Sequence, residues 1–403
     1  MNNNYQADNF YDNISIPKGK KKKSNIVYDP NLNNNSNQNI MKKYFLKCLI
    51  FPAVLISLII ILALLCLNPS ISEFLTKNVS KHLAYIMSCM GNLSSFPIFD
   101  ILFLSLVCVM IVFLIIAISL YCVKRPHTAS FILFVLLDII LCFILLFQTT
   151  AGTLYNRTSI QDGMDIAYAT TDSITKDEVY KATDYYIDQI NAVNNQIIRT
   201  NTGKMHTTIT FNTMTDNLAI MLNTLNKNDY LFNSYYRPKQ LVTSNIASAF
   251  GIAGITMPLT GEIGINTNTF DYKLPMTIAH ELAHSKGVMQ ENQATALALN
   301  VCVSGGADFK YSAYSNIVQN LLYTIYALDG KDAYNAYYAK VDPTITNEWA
   351  MYNEYIKQYD GFLSDVSDFF NNVYLKLNGV SNGIQSYSEL DGYIIGLYRK
   401  QLQ

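Results

Sequence analysis

Three long apolar runs near the N-terminus constrain the fold of this chain more than any other feature. The first, Cys48 to Leu67, reads CLIFPAVLISLIIILALLCL and contains no charged side chain. As a helix with a rise of about 1.5 Å per residue it is about 30 Å long, which matches the hydrocarbon core of a bilayer. Ile101 to Val123 is a second such run, and Ala129 to Phe147 is a third that only Asp138 interrupts. We therefore expect three membrane spans, at about 48–67, 101–123 and 129–149, with the lipid bilayer as a partner.

The basic residues around these runs predict the orientation of the chain. The first run is too long and begins too late for a cleaved signal peptide, and two more runs follow it. Lysines cluster before the first run, and Lys124 and Arg125 lie in the short connection between the second and the third. Because Lys and Arg favour the cytoplasmic side, we expect a cytoplasmic N-terminus and an extracytoplasmic location for everything after Thr149.

Two segments outside the spans have a composition of their own. Residues 1–40 are rich in Asn and Lys and poor in large aliphatic side chains, which predicts a disordered cytoplasmic tail. Residues 68–97 connect the first two spans, and apolar side chains recur in them at helical spacing. These are Ile71, Phe74, Leu75, Val79, Leu83 and Ile86. The spacing predicts an amphipathic helix on the outer membrane surface or, with equal weight, a helix packed on the outer domain.

Charge and cysteine placement exclude several functional classes. The formal net charge of −1 provides no basic face for binding phosphates, so no nucleic-acid partner is expected. Five of the seven cysteines lie in or beside the apolar runs, and only Cys89 and Cys302 lie elsewhere. Neither has a partner close in sequence, so we expect no disulfide framework and no cysteine-based metal site. Any metal ion must therefore be bound by His and carboxylate side chains.

Residues 151–403 have ordinary polar content and enough length for one domain with a core. Helical periodicity dominates, and two Ser/Thr-x-x-Glu capping boxes mark helix starts. They are Thr175 with Glu178, before a helix that should run to about Arg199, and Ser386 with Glu389, before the last helix. Between 241 and 270, Gly and Pro punctuate short runs rich in Ile and Thr, which predicts one or two strands. The fold class is therefore mainly α with one small β element.

The motif that carries chemistry is HExxH, formed by His280, Glu281 and His284. Residues four apart lie on one face of a helix, so both imidazoles can reach one metal ion while the Glu lies beside its open position. Zinc suits such nitrogen ligands, and it lowers the pKa of a bound water to about 7. Glu281 would take the proton from that water and pass it to the leaving amine. This arrangement predicts a zinc metallopeptidase.

A catalytic zinc needs a third protein ligand, and two neighbouring residues are candidates. Gly287 can end the helix with a positive φ and let the chain fold back. Gln290 lies where some zinc proteases have a third His, but an amide is a poor zinc ligand. Glu291 is the better ligand, although a Glu at the start of a helix is also favoured by the helix dipole alone. Glu291 and Ala294 match the Glu and Ala of the ExxAD pattern, in which the third ligand is the Glu of a helix. Thr295 stands where that pattern has Asp, and it is therefore a candidate to orient a metal ligand.

The chain also resembles a known family, the bacterial membrane proteins grouped as the domain of unknown function DUF3810. The resemblance extends from about Pro69 to the C-terminus. It rests on the segments FPIFD, AGTLYNR, GIAGITMPLTGEIGIN, LPMTIAHELAHSKGVMQENQA, YSAY at 311–314 and YLKLNGVSNGIQSY. The chain departs from the family pattern at Ala151, where relatives usually have Trp, and in ENQAT, where they have EDEAN. Neither departure removes a candidate ligand.

The resemblance implies a zincin-like, membrane-anchored domain with hydrolytic activity in the bacterial cell membrane. The resemblance supplies no substrate. From the HExxH motif and the predicted orientation we expect a peptide or protein outside the cytoplasm, and GIAGITMPLTGEIGIN could either form an edge strand for it or be a structural hairpin. Tyr311 and Tyr314 are candidates for stabilising the developing oxyanion. The alternative function is a membrane-anchored binding or scaffold protein with a zincin fold and no turnover, against which the intact Glu281 argues.

Overall fold

The apolar runs form three long helices in the computed structural model, which describes residues 30–361, 364–365 and 387–403. The helices are α1 (Pro30–Cys66), α4 (Ile98–Cys122) and α5 (Pro126–Thr150). Stretches of 22, 25 and 29 residues, Phe45–Cys66, Ile98–Cys122 and Pro126–Leu154, are long and apolar enough to cross a membrane. Most of their large aliphatic side chains are exposed to the surroundings of the protein, which only a lipid environment favours. The expected association with a bilayer is therefore confirmed.

The first helix begins earlier than the sequence analysis placed it. Residues 30–40, expected to belong to a disordered tail, are the helical N-terminal part of α1. Extending an existing helix costs far less free energy than nucleating a new one, so the helix of the first span continues into the polar residues that precede it. The disorder expected for residues 1–29, the cap at Ser386 and most of the YLKLNGVSNGIQSY segment lie outside the described residues.

The link between the first two spans is helical, as predicted. It consists of α2 (Pro69–Leu75), a π-helical turn (Thr76–Ser80) and α3 (Lys81–Gly91). Its small side chains are buried against the outer domain: Ser72, Thr76, Ser80, Ser88 and Gly91. Among its large apolar side chains, Phe74, Val79 and Ile86 are exposed, whereas Ile71, Leu75 and Leu83 are half-buried. Packing on the domain and an exposed apolar face, which the sequence offered as alternatives, therefore occur together.

The outer domain is built from helices around one apolar core. They are α6 (Ile160–Met164), α7 (Lys176–Asn194), α8 (Phe211–Thr224), α9 (Ser244–Ala249), α10 (Leu274–Ser285), α11 (Glu291–Val303), α12 (Ala307–Tyr338), α13 (Pro343–Lys357) and α14 (Tyr387–Gln401). The hydroxyl of Thr175 accepts from the N–H of Glu178 and so caps α7 as predicted. The helix ends at Asn194 rather than near Arg199, because Arg199 pairs with Met205 in a β-bridge. The longest helix, α12, packs along α7, and α10 packs between α11 and α8.

The small β element is a three-stranded sheet. Its strands are β1 (Pro238–Gln240), β2 (Gly254–Met257) and β3 (Glu262–Ile265). The order is β1-β3-β2, with β1 parallel and β2 antiparallel to the central β3. The region 241–270 was predicted to contain strands, and β2 and β3 lie in it. β1 lies before that region and was not predicted, because a strand of three residues is too short to produce an alternating pattern. The mainly helical fold with a small sheet is confirmed.

Candidate metal centre

Two consecutive helices bring the candidate ligands together. α10 carries His280, Glu281 and His284, and it ends where Gly287 adopts a φ of +90°. This left-handed conformation suits glycine and turns the chain back immediately. A Cβ at Gly287 would also lie 2.9 Å from the Arg157 guanidinium and from the Phe232 ring. α11 then begins at Glu291. The loop at Gly287 therefore places the Glu291 carboxylate next to the imidazoles of α10.

The three candidate ligands converge on one point. The Nε2 atom of His280 lies 3.1 Å from Oε2 of Glu291, and the Nε2 atom of His284 lies 3.6 Å from Oε1. The ligand atoms of the three side chains all lie within 4.8 Å of one another. For tetrahedral zinc with bonds of about 2.0–2.1 Å, ligand atoms are separated by about 3.3–3.4 Å. The two His–Glu separations are close to that value, so these donor atoms suit one tetrahedral zinc ion.

The second nitrogen of each imidazole has a partner of its own. Nδ1 of His284 donates to the backbone oxygen of Val288 at 2.8 Å, and Nδ1 of His280 lies 3.2 Å from the hydroxyl of Thr295. When Nδ1 carries the proton, Nε2 presents its lone pair, which is how protein groups fix a metal-binding imidazole. Thr295 therefore does lie where it can orient a ligand. Its hydroxyl replaces the carboxylate of the ExxAD pattern.

The charges of the three groups favour an ionised carboxylate. Burial lowers the pKa of His284, but the Glu291 carboxylate outweighs that effect and raises the pKa of His284 to about 9. Burial likewise raises the pKa of Glu291, whereas the charge of His284 and hydrogen bonds from both imidazoles hold it well below its usual range. Glu291 is thus ionised at neutral pH, and a zinc ion would have to displace the Nε2 protons with which the imidazoles bond to it.

Glu281 is buried beside this group and is held by the sheet. The hydroxyl of Thr256, on β2, lies 2.8 Å from Oε2 and 2.9 Å from the backbone oxygen of Glu281. The side chain of Glu281 also passes close to Gly254, where a Cβ would lie 2.6 Å from its Cγ. Residues 254 and 256 lie on the same face of the strand because side chains alternate along it. This face therefore sets the position of the carboxylate next to the two imidazoles.

The other proposed site residues lie elsewhere. The amide of Gln290 donates to the backbone oxygen of Tyr155 at 2.7 Å and accepts from Gln293, so it is not available as the third ligand. The expected oxyanion role of Tyr311 and Tyr314 is not supported. The hydroxyl of Tyr311 donates to Glu348 at 2.7 Å. Both rings are buried on α12. Tyr311 packs against Tyr272, and Tyr314 packs against Tyr186 of α7.

Sequence reasoning missed two residues that shape the site, Gly254 and Thr256. The segment that contains them was predicted to be a strand, and its alternation places both on one face. The sequence contains no signal for which face meets α10, because that depends on how the sheet packs on the helix. The spacing of Gly254 and Thr256 alone does not indicate a functional site.

One of three comparisons with known proteins gives a match. The family model described as a protein of unknown function, DUF3810, matches residues 73–395, which is more than half of the chain. The matched range includes α4, α5, the sheet and both ligand helices. No curated protein and no solved structure gives a significant match. The chain therefore belongs to the DUF3810 family.

Proposed function

We propose that this protein is a membrane-anchored, zinc-dependent metallopeptidase with a zincin-like outer domain. The observation that carries the proposal is the convergence of His280, His284 and Glu291, with their ligand atoms within 4.8 Å of one another. Glu281, buried beside them and bonded to Thr256, supplies a base that is not itself a ligand. Two His, one acidic ligand and a separate Glu are a set that supports metal-assisted hydrolysis of a peptide bond.

The residues of the chain have separate tasks in this reaction. A bound zinc ion supplies a Lewis acid that polarises the scissile carbonyl and lowers the pKa of water. Glu281 accepts a proton from the attacking water and transfers it to the leaving amine, so that one water is consumed and a carboxylate and an amine are released. The hydroxyl of Thr256 orients the Glu281 carboxylate, and Thr295 orients His280.

The sheet offers a place for an extended substrate. In the order β1-β3-β2, the strand β2 pairs with β3 on one side only, so it is an edge strand in the described part of the chain. Main-chain groups on such an edge can pair with an extended peptide. Thr256 of this strand touches Glu281. A peptide bound along β2 therefore passes next to the base.

Removal of the metal tests the function directly. We expect the purified protein to contain about one zinc per chain and to hydrolyse members of a peptide library, because two nitrogens and a carboxylate bind zinc strongly. A chelator should abolish the hydrolysis, and added zinc should restore it. Hydrolysis that persists after complete removal of the metal would contradict the proposal.

The second candidate function is a binding or scaffold protein without turnover. One observation favours it: His280 and His284 already form ion pairs with Glu291, at 3.1 and 3.6 Å. Such pairs can hold α10 against α11 in the absence of a metal. This function predicts no stoichiometric zinc and no hydrolysis, so the chelator experiment separates the two candidates.

We further propose that the outer domain lies on the extracytoplasmic side of the bacterial cell membrane. Lys42 and Lys43 precede the first span, and Lys124 and Arg125 lie between the second and third, which favours a cytoplasmic location for these segments. A reporter that is active only outside the cytoplasm, fused after Gln403, is therefore expected to be active. A signal from a cytoplasmic reporter alone at that position would reverse both the orientation and the class of substrate.

A further inference from the structure

The turn that delivers the third ligand is tied to the end of the third span. The side-chain amide of Gln290, next to the ligand Glu291, donates to the backbone oxygen of Tyr155 at 2.7 Å. Tyr155 follows the end of α5, at Thr150, by five residues, which even fully extended reach at most about 18 Å. The chain there is shorter than that, because Gly152–Leu154 forms a 3₁₀ turn. The metal centre therefore lies close to the point where α5 leaves the membrane.

Arg157 strengthens this connection. Its buried guanidinium donates to the backbone oxygens of Gly287, at 3.1 Å, and of Tyr230, at 3.0 Å. Its Nε atom lies 3.6 Å from the carboxylate of Glu73, on the link helix α2. One side chain thus joins the ligand turn, the outer domain and the link. The turn is fixed relative to the membrane-bound segments rather than carried on a flexible stalk.

The sheet that holds the base is tied to the second span. Glu262 of β3 is fully buried, and it accepts from the backbone N–H groups of Ile98, at 3.0 Å, and Phe99, at 2.9 Å, where α4 begins. Lys239 of β1 pairs with Glu262 and donates to the backbone oxygens of Gly91 and Phe96. These contacts fasten two strands to the link and to the first residues of the span.

The register of the sheet gives the distance from this attachment to the base. Glu262 is the cross-strand partner of Met257, which follows Thr256. Paired Cα atoms are about 5 Å apart and consecutive ones 3.8 Å. The carboxylate of Glu281 therefore lies on the order of 20 Å or less from the start of α4. A helix of 25 residues, such as α4, is about 37 Å long, so its first residues lie at the membrane surface.

The link exposes an apolar face that fits the outer leaflet. Leu93 is 88% exposed and Phe74 63% exposed, and Tyr85, Ile86, Met90 and Phe96 are more than half exposed. Both ends of the link continue into membrane spans, α1 and α4. The segment must therefore run along the bilayer, and lipid is the partner that covers its apolar side chains. The buried side of the link holds the domain against that surface.

We propose that the metal centre is held at the lipid surface and cleaves polypeptides anchored in the same membrane, at bonds close to the bilayer. This inference rests on the proposed peptidase function. Both sides of the site are fixed to spans, the ligand turn through Tyr155 and Arg157 and the strands through Glu262. A scissile bond a few residues from an anchor reaches such a site, whereas a bond far above the membrane does not. The substrate class is thus a juxtamembrane or lipid-attached polypeptide.

Substrate height is the variable to test. The full-length, zinc-loaded protein is placed in phosphatidylcholine and phosphatidylglycerol vesicles together with one randomised fluorescent peptide pool attached to a lipid anchor. Each peptide is joined to its lipid anchor through one of two spacers. One is a flexible spacer of about five residues, and the other is a rigid helical spacer of about 30 residues, which is about 45 Å long. Both substrates have the same surface density, so that their concentration at the membrane is the same. The pool without an anchor and the Glu281→Gln protein are the controls.

We expect the short-spacer substrate to be cleaved at least about tenfold faster than the long-spacer substrate, because only the short spacer allows simultaneous anchoring and binding. Equal cleavage of both would overturn the inference and leave the peptidase function intact. Cleavage of the unanchored pool alone would also overturn the inference while leaving the peptidase function intact. Cleavage of none of the three substrates by the zinc-loaded protein would count against the peptidase function itself, and against the inference with it.

Discussion

Peptide hydrolysis is expected to fall by about 10²- to 10⁴-fold when Glu281 is replaced by Gln, the loss typical of a general base. The amide has nearly the same shape as the carboxylate but cannot accept the proton of the attacking water. Because Glu281 is not among the three converging ligands, zinc content should remain at about one per chain. The measurement is paired: zinc stoichiometry and hydrolysis of one peptide library by wild type and variant.

Thr256→Val supplies a graded comparison for this experiment. The substitution keeps the volume and the β-branched shape of the side chain but removes the hydroxyl that lies 2.8 Å from Oε2 of Glu281. Losing one hydrogen bond of about 1 kcal/mol should lower the rate about five- to tenfold, and zinc content should not change. A purely structural Thr256 predicts instead an unchanged kcat in the folded variant.

Two results would argue against the assigned role of Glu281. If Glu281→Gln and wild type hydrolyse the library equally, the base is another group. If Glu281→Gln loses its zinc as well, the carboxylate contributes to the metal site, and the loss of activity no longer identifies a base. Circular dichroism of both proteins controls for misfolding, which matters because Glu281 is only 6% exposed.

The part of the site that the sequence predicted is the part that depends on local geometry. His280 and His284 face the same way because they lie four apart on a helix, and Gly287 turns the chain because only glycine adopts its φ of +90° easily. Glu291 then follows within a few residues. Thr295 was placed by its position one residue after Ala294, and it does contact His280.

The part that the sequence did not predict depends on how distant elements pack. Thr256 reaches Glu281 because β2 lies on α10, across 25 residues of chain. Tyr311 is a candidate from the sequence because an oxyanion stabiliser is expected near the metal, yet α12 turns this ring towards Arg199 and Glu348. No local pattern distinguishes a Tyr at a metal from one in the core when 29 Tyr are present.

The same distinction applies to the membrane region. The spans were found because length and absence of charge suffice to identify them. The link was harder, because helical spacing of apolar side chains is the same whether the face meets protein or lipid. The structure resolves this through the small residues: Ser72 and Ser80 are buried on the domain, which leaves the large side chains outside.

Stoichiometric zinc is expected to disappear in His284→Ala. The side chain is one of the three proposed ligands, and its Nδ1 is bonded to the backbone oxygen of Val288, which leaves Nε2 facing Glu291. Glu291→Gln should keep some binding but weaken it by about 10- to 100-fold or more, since even the loss of an orienting partner costs that much. His206→Ala is the matched control, because His206 has a 58% exposed side chain outside the site.

Because His284 is buried, its truncation to Ala could also disturb packing, so the Glu291→Gln variant is decisive for the third ligand. The side chain of Glu291 is 45% exposed, and Gln has nearly the same volume, so the fold should be retained. Its affinity for zinc, measured by competition with a chelator, therefore reports on the ligand alone. An unchanged affinity would exclude Glu291 as a ligand, and unchanged zinc content in His284→Ala would exclude the whole site. The convergence of the three side chains predicts loss of stoichiometric zinc in His284→Ala, weaker binding in Glu291→Gln and wild-type affinity in His206→Ala.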